Sequence, residues 1–115
     1  MIRSLGNWVI VLMLIMSSFF LGCQRQYLVE EKLLHAETVM NEHPDSALNL
    51  LKGIAQPELQ TQAHHARYAL LYSQALDKNY IDVTSDSLIS VALEYYKDKD
   101  DVRSKFLSYY YMGRV

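Results

Sequence analysis

The sequence predicts an all-α protein, and three observations support this fold class. Only two prolines and four glycines occur in 115 residues, so few positions interrupt a helix. Apolar residues recur at helical spacing, for example at Val29, Leu33, Ala36 and Met40, which share one helix face. No segment alternates polar and apolar residues with the period of two that a half-buried strand requires. We therefore expect tandem antiparallel helical hairpins, about five helices after an N-terminal leader helix.

The first 22 residues have the layout of an export signal. Arg3 is the only charge before Cys23, and an apolar run from Trp8 to Met16 follows it. Gly22 then precedes Cys23. This arrangement resembles the lipobox of bacterial lipoproteins, which implies acylation of the Cys23 thiol and cleavage between Gly22 and Cys23. Residues 1–22 are then the signal peptide, and residues 23–27 a lipidated tether.

A lipid on Cys23 would act as a membrane anchor. Each buried methylene contributes about 0.8 kcal/mol, and several acyl chains together hold a protein stably at a bilayer. Gln24 follows the cysteine, where such lipoproteins use Asp for retention at the inner membrane. The resemblance therefore implies an outer-membrane lipoprotein of the cell envelope that faces the periplasm. The alternatives are simple secretion and an uncleaved membrane helix over 4–24, since about 20 apolar residues span a bilayer.

The first two helices after the leader are indicated by their apolar faces and ends. The first ends near Met40, and Pro44 opens the second at the first helical position, where its missing N–H is not needed. Asp45 lies in the first turn, where a carboxylate is favourable to the helix dipole. Gly53 is expected to end this helix.

Three further helices are predicted. The third extends from Leu59 to Leu76 with two neighbouring apolar stripes, one of which includes Ala66 and Leu70 and the other Tyr68 and Leu71. Capping groups at 84–86 precede the fourth helix. A charged turn at 97–101, interpreted as solvated, separates it from a fifth helix over 102–115. Ala36, Ser73 and Gly113 lie 37 and 40 positions apart, and Ala47 and Ser85 lie 38 apart, which indicates repeated hairpins.

Four short motifs resemble those of tetratricopeptide-repeat lipoproteins of anaerobic Gram-negative bacteria. They are 43–51, 66–71, 85–89 and 109–113, and the likeness covers nearly all of residues 28–115. The resemblance implies a solenoid of helical hairpins over 28–115. Because the last helix ends in three tyrosines that a further helix should cover, we expect this domain to be incomplete at its C-terminus.

Composition argues against several functions. The formal net charge is −2 and no basic stripe occurs, so we expect no nucleic-acid partner. Cys23 is the only cysteine, which leaves no disulfide and no cysteine-based metal site. His64 and His65 are adjacent and point about 100° apart on a helix, so they do not address one metal ion. No nucleophile motif or phosphate-binding glycine loop is present, so we expect no enzyme, no metal and no cofactor beyond the lipid.

The nine tyrosines are the most suggestive group for binding. Most are expected to pack between helices with the phenol reaching water. Tyrosine and arginine are also enriched at binding hot spots. We predict a candidate binding surface formed by Arg67, Tyr68, Tyr72, Tyr95 and Tyr109.

The sequence therefore favours a non-catalytic module that binds a protein or peptide partner. One alternative is a sensory or transport-accessory module that binds a glycan or peptide. Another is the N-terminal fragment of a longer membrane-bound regulator.

Overall fold

The all-α class is confirmed by a computed structural model, which describes the backbone of residues 2–115. Its side chains are described except at positions 2–4, 18–25 and 57. The five α-helices are α1 (Ile2–Val39), α2 (Pro44–Lys52), α3 (Gln62–Lys78), α4 (Ser87–Tyr96) and α5 (Val102–Met112). A short 3₁₀ turn, Gln56–Glu58, lies between α2 and α3, and residues 2–115 contain no strand.

Helix α1 contains both the predicted leader and the first predicted helix of the folded part. The side chains of residues 5–17 are exposed, whereas Val29, Leu33 and Ala36 are at most 1% exposed. The predicted cleavage and lipidation positions, Gly22 and Cys23, lie outside the described side chains. Within the described part of the chain, no helix combines the length and apolarity that a bilayer crossing requires.

The ends of α2 and α3 follow local capping chemistry. Pro44 begins α2 as predicted, and the Gly53 N–H donates to the carbonyls of Asn49 and Leu50, both at 3.2 Å. The predicted start of the third helix at Leu59 is wrong, because α3 begins at Gln62. Thr61 is its N-cap, and its hydroxyl accepts from the His64 N–H at 3.1 Å. Leu59 is instead extended and buried, and it anchors the connection in the core.

The last two helices also begin at polar side chains. At α4 the N-cap is Asp86, whose side chain makes no capping hydrogen bond. The Ser85 hydroxyl instead accepts from the Ser87 N–H at 3.2 Å, so of the predicted capping group it is Ser85 that bonds to the helix start. At α5, a carboxylate oxygen of Asp101 accepts from the Ser104 N–H at 3.1 Å, so this member of the charged turn is a cap. Helix α5 ends at Met112 rather than at residue 115, with Gly113 at the C-cap.

Two apolar clusters form the core, and α3 contributes to both. Tyr68, Leu71 and Ala75 of α3 pack in the first cluster with α1 and α2. Ala66, Ala69 and Leu70 of the same helix pack in the second cluster with α4 and α5. The two stripes predicted on this helix therefore face two different sets of neighbours. The other buried members of the clusters are Val29, Leu33, Ala36, Met40, Ala47, Leu48, Leu51, Ile54, Leu59, Ile89, Ala92, Tyr96 and Tyr111.

Contacts between helices are short-range along the chain. Each helix contacts the next one, and in addition α1 contacts α3 and α3 contacts α5. Within residues 2–115, α2 and α4 do not contact each other. Helix α3 therefore contacts both α1 and α5, while α2 packs against α1 and α3, and α4 packs against α3 and α5.

Candidate interaction surface

Hydrogen bonds and ion pairs join α1 to α3 beside the first apolar cluster. The His64 Nε2–H donates to Glu30 Oε1 at 2.8 Å, and His64 is only 5% exposed. Arg67 Nη2 donates to Glu37 Oε2 at 2.7 Å, and its Nη1 lies 3.5 Å from Glu30 Oε2. Because two carboxylates from α1 hold one guanidinium from α3, the Arg67 side chain is oriented at the boundary between these helices.

The oriented guanidinium lines a groove of about 300 Å³ to which α1, α3 and α5 all contribute. The α1 side is Glu37, and the α5 side includes Arg103 and Ser104. Both charge signs and several amide or hydroxyl groups therefore face the same space. The full lining is Glu37, Arg67, Leu70, Leu71, Gln74, Tyr96, Asp101, Arg103, Ser104 and Leu107.

The ionisation of two groups in the groove follows from their neighbours. Hydrogen bonds from the Ser104 hydroxyl and N–H lower the pKa of Asp101, with help from the positive charges of Arg103 and Arg67. Burial raises the pKa of Tyr96, and the Asp101 carboxylate raises it further, against opposing effects of Ser104 and Arg67. At neutral pH the groove therefore presents the ionised carboxylate of Asp101 and the neutral phenol of Tyr96, beside the ion pair of Arg67 with Glu37 and the guanidinium of Arg103.

This arrangement is suited to recognition of polar or charged groups. Guanidinium groups bind carboxylates by paired, geometrically specific hydrogen bonds. Gln74 is 8% exposed and adds an amide at the same surface. The chemistry available to a ligand in this groove is hydrogen bonding and ion pairing with side chains of α1, α3, α4 and α5.

The five residues predicted as a binding surface lie in different places. Of these, Arg67 lines the groove between α1, α3 and α5. Tyr68 is 9% exposed in the first apolar cluster, where its ring centroid lies 5.5 Å from that of Tyr72, and burial raises its pKa. Tyr72 is partly buried against the same cluster. Tyr109 is 56% exposed on α5, and Tyr95 lines a second groove.

That second groove, about 690 Å³, lies between the start of α3 and the end of α4. Lys99 Nζ lies 4.7 Å from the centroid of the Tyr95 ring. The Tyr96 ring meets the Tyr95 ring edge-on, with centroids 5.1 Å apart. Tyr95 is therefore engaged by its own neighbours on two sides, and Arg67 and Tyr95 belong to separate surfaces.

The two adjacent histidines also diverge. His64 points to Glu30 and is buried, whereas His65 lines the groove beside Tyr95. Among the described residues, no group of three or more His, Cys, Asp or Glu side chains is placed to hold a metal ion. In the described structure the buried His64 Nδ1 has no hydrogen-bond partner.

Sequence reasoning missed most of the groove. Asp101, Arg103 and Ser104 were interpreted as a charged turn and its neighbours, and their meeting with Arg67 depends on how α3 packs on α5. Only the Asp101-x-x-Ser104 spacing, which is typical of a helix cap, was a local signal. No pattern in the sequence near Glu30 and Glu37 predicts that these side chains contact α3.

Comparisons with protein families, with curated proteins and with solved structures gave no match for this chain.

Proposed function

We propose that this protein is a lipid-anchored helical-repeat module of the cell envelope that binds another protein and catalyses no reaction. The observation that supports it best is the contact of α3 with both α1 and α5, because these helices, with Tyr96 at the end of α4, line one groove. Tandem helical hairpins that contact only their neighbours form extended surfaces of this kind.

The burial pattern supports an internal repeat. Shifting α1 by 37 positions places Val29 on Ala66 and Leu33 on Leu70, and all four residues are buried. Shifting α3 by 40 positions places Tyr68 on Ser108 and Leu71 on Tyr111, which are also buried. The shift of 40 also places the buried Leu70 on the exposed Tyr110, so the correspondence holds for one face of the helices. It is on that face that the proposed tetratricopeptide-like hairpin solenoid rests. Ser85 is exposed while Ala47 is buried, so that pair does not mark equivalent positions.

The groove favours a protein ligand. Its ionised Asp101 and the guanidinium groups of Arg67 and Arg103 are spread along α3 and α5, which suits an extended polar segment. The anchoring part of the proposal rests on Gly22 and Cys23, and the outer-membrane, periplasm-facing location rests on Gln24. The glycan-binding alternative stays a prediction.

Photocrosslinking in the native host tests this proposal. A benzophenone amino acid is placed at Glu37, which lines the groove with a side chain 40% exposed. The control position is Glu42, which is exposed and lies outside the groove. We expect one discrete crosslinked envelope protein from position 37 and none from position 42.

Two results would contradict the proposal. One is the absence of any crosslinked product at position 37 in a full-length chain whose helical circular dichroism is normal. The other is the same set of products from positions 37 and 42, which would indicate random collision at the membrane.

A further inference from the structure

The Gln74 side chain lines the groove between α1, α3 and α5 and has no partner there. Gln74 is only 8% exposed. Within the described part of the chain, its carboxamide makes no hydrogen bond. Among the described residues, His64 Nδ1 is the one side-chain nitrogen or oxygen that is sealed from solvent without a partner, so the amide atoms of Gln74 are accessible from outside. The space onto which this side chain opens is the groove.

Buried amides are nearly always hydrogen-bonded, because an amide taken out of water without a partner is unfavourable. Other polar groups of the groove already have partners within the chain. Arg67 bonds to Glu37 at 2.7 Å, and Asp101 accepts from the Ser104 hydroxyl at 2.7 Å. The Gln74 amide is therefore the buried group of the groove whose hydrogen bonds are left for a ligand to complete.

The charges of the groove do not select the ligand by sign. Its lining contains two carboxylates, Glu37 and Asp101, and two guanidinium groups, Arg67 and Arg103, so the formal charges cancel. Three leucines of the same lining provide apolar surface, namely Leu70, Leu71 and Leu107. A ligand that fits this surface therefore combines a group that pairs with an amide and apolar parts on either side of it.

The main chain of an extended peptide has this chemistry. A carboxamide has an oxygen that accepts and an NH₂ group that donates. One residue of an extended chain presents its N–H and its C=O on the same side, as in the hydrogen-bonded pairs of an antiparallel sheet. The Gln74 carboxamide can therefore make both bonds to a single residue, while the alkyl parts of neighbouring peptide side chains contact the leucines.

We propose that Gln74 binds the main chain of an extended segment of the partner protein, accepting from one peptide N–H and donating to one peptide C=O. This inference rests on the proposed function and deepens it, because it names the part of the partner that the groove recognises. Every residue of a polypeptide except proline carries the same two groups. Recognition through Gln74 therefore tolerates different side chains in the bound segment.

The first experiment observes the Gln74 amide directly in the full chain in detergent micelles. The glutamines are labelled with nitrogen-15, and the NH₂ signal of Gln74 is assigned by its absence from Gln74→Leu. The probe is a pool of short peptides with blocked ends and randomised side chains. In the control pool, esters replace the backbone amides and remove the N–H donors. We expect the amide pool to shift the Gln74 signal and the ester pool to leave it in place.

The signal of Gln60 is the internal control, because this glutamine is exposed and lies outside the groove. It should not move with either pool. Gln74→Leu should weaken binding of the amide pool about tenfold or more, a loss of about 1.4 kcal/mol or more. The matched variant Gln60→Leu should bind like the wild type.

Stability separates recognition from a structural role. Gln74→Leu should unfold at a urea concentration no lower than the wild type, because Gln74 has no hydrogen bond within the described chain to lose. A residue that only supports the fold would show the opposite result, a lower midpoint with unchanged discrimination between the amide and ester pools. That result would overturn the inference.

The crosslink from position 37 connects this inference to the partner in the host. Its yield should fall about tenfold in Gln74→Leu and stay unchanged in Gln60→Leu. An unmoved Gln74 signal, an equal shift with both pools, or an undiminished crosslink in Gln74→Leu would overturn the inference. A shift with cellobiose and none with the amide pool would make the ligand a glycan and overturn it as well.

The two proposals fail in different ways. An undiminished crosslink in Gln74→Leu would leave the proposed function standing and remove only the role of Gln74. A wild-type chain without any crosslink would contradict the proposed function, and the two peptide pools would still decide whether Gln74 recognises a main chain.

Discussion

Asp101 is an exposed carboxylate that defines the start of α5. One of its oxygens accepts from the Ser104 N–H at 3.1 Å and the other from the Ser104 hydroxyl at 2.7 Å. Both bonds favour the ionised form and lower the pKa of Asp101. Asp101 also lines the groove, so the same side chain caps the helix and contributes a negative charge to the candidate surface.

At the residue scale we predict that Asp101→Ala lowers the free energy of unfolding by about 1 kcal/mol or less, the usual cost of losing an exposed N-cap. The cap strengthens as the carboxylate ionises, because the folded pKa lies below the unfolded one. This contribution is fully present above the unfolded pKa, about 3.9, and is lost as pH falls through the folded pKa. Urea unfolding at neutral and acid pH measures it.

The matched control is Asp101→Asn, which keeps a capping oxygen and should lose less at neutral pH. The difference in the free energy of unfolding between wild type and Asp101→Ala should become smaller as the pH is lowered. A gap that stays constant from neutral to acid pH would show that ionisation of Asp101 does not stabilise the helix start.

At the element scale, α1 and α3 show how one helix divides its surface. Helix α3 is apolar on two sides, and each of these sides packs in one of the two apolar clusters. Among the described side chains of α1, those of residues 5–17 are exposed and the packed face begins at Val29. Adjacent positions on that packed segment therefore differ sharply: Leu33 is 0% exposed and Leu34 is 56% exposed.

These two leucines form a matched pair. We predict that Leu33→Ala lowers the free energy of unfolding by about 2–5 kcal/mol, because it removes buried methyl groups and leaves a cavity against α2 and α3. Leu34→Ala should change it by no more than about 0.5 kcal/mol, as surface substitutions usually do. Chemical denaturation of the full chain in detergent measures both values. Equal losses would mean that α1 does not pack on α2 and α3 through this face.

At the scale of the whole molecule, the described chain has an N-terminal helical segment with exposed side chains at 5–17 and 26–28, followed by a packed helical array. The array occupies the part of the chain after Leu28, and its contacts join only neighbouring or next-but-one helices. In the proposed function, the N-terminal segment is removed up to Gly22 and the new first residue holds the array at the membrane. In that proposal the attachment precedes the array along the chain.

At this scale we predict that attachment of a lipid depends on Cys23. Metabolic labelling with palmitate should mark the wild-type chain, and Cys23→Ser should remain unlabelled and keep the mass of the uncleaved leader. The physical reason is that the serine of this variant has no thiol to accept the lipid in the chemistry that the lipobox resemblance implies. The control Ser17→Ala should be labelled like the wild type, and an unlabelled wild type would contradict the anchor.

The sequence by itself determined the class of the fold and many of its boundaries. Helical periodicity placed the apolar face of Val29, Leu33 and Ala36, and the chemistry of Pro44 and Gly53 set both ends of α2. These features were predictable because they depend on residues within a few positions of each other. The start of α3 was not, since Leu59 is held extended by burial in a core that forms only on folding.

The tertiary structure decided which side chains meet. Arg67 contacts Glu37 at a separation of 30 residues, and His64 contacts Glu30 at a separation of 34. Nothing in the local sequence encodes these pairs, because they arise from the angle and register at which α3 packs on α1. Packing also decides which aromatic residues are buried. Tyr68 is buried where α3 packs on α1 and α2. Phe106 is exposed, since its side of α5 faces no neighbour within the described chain.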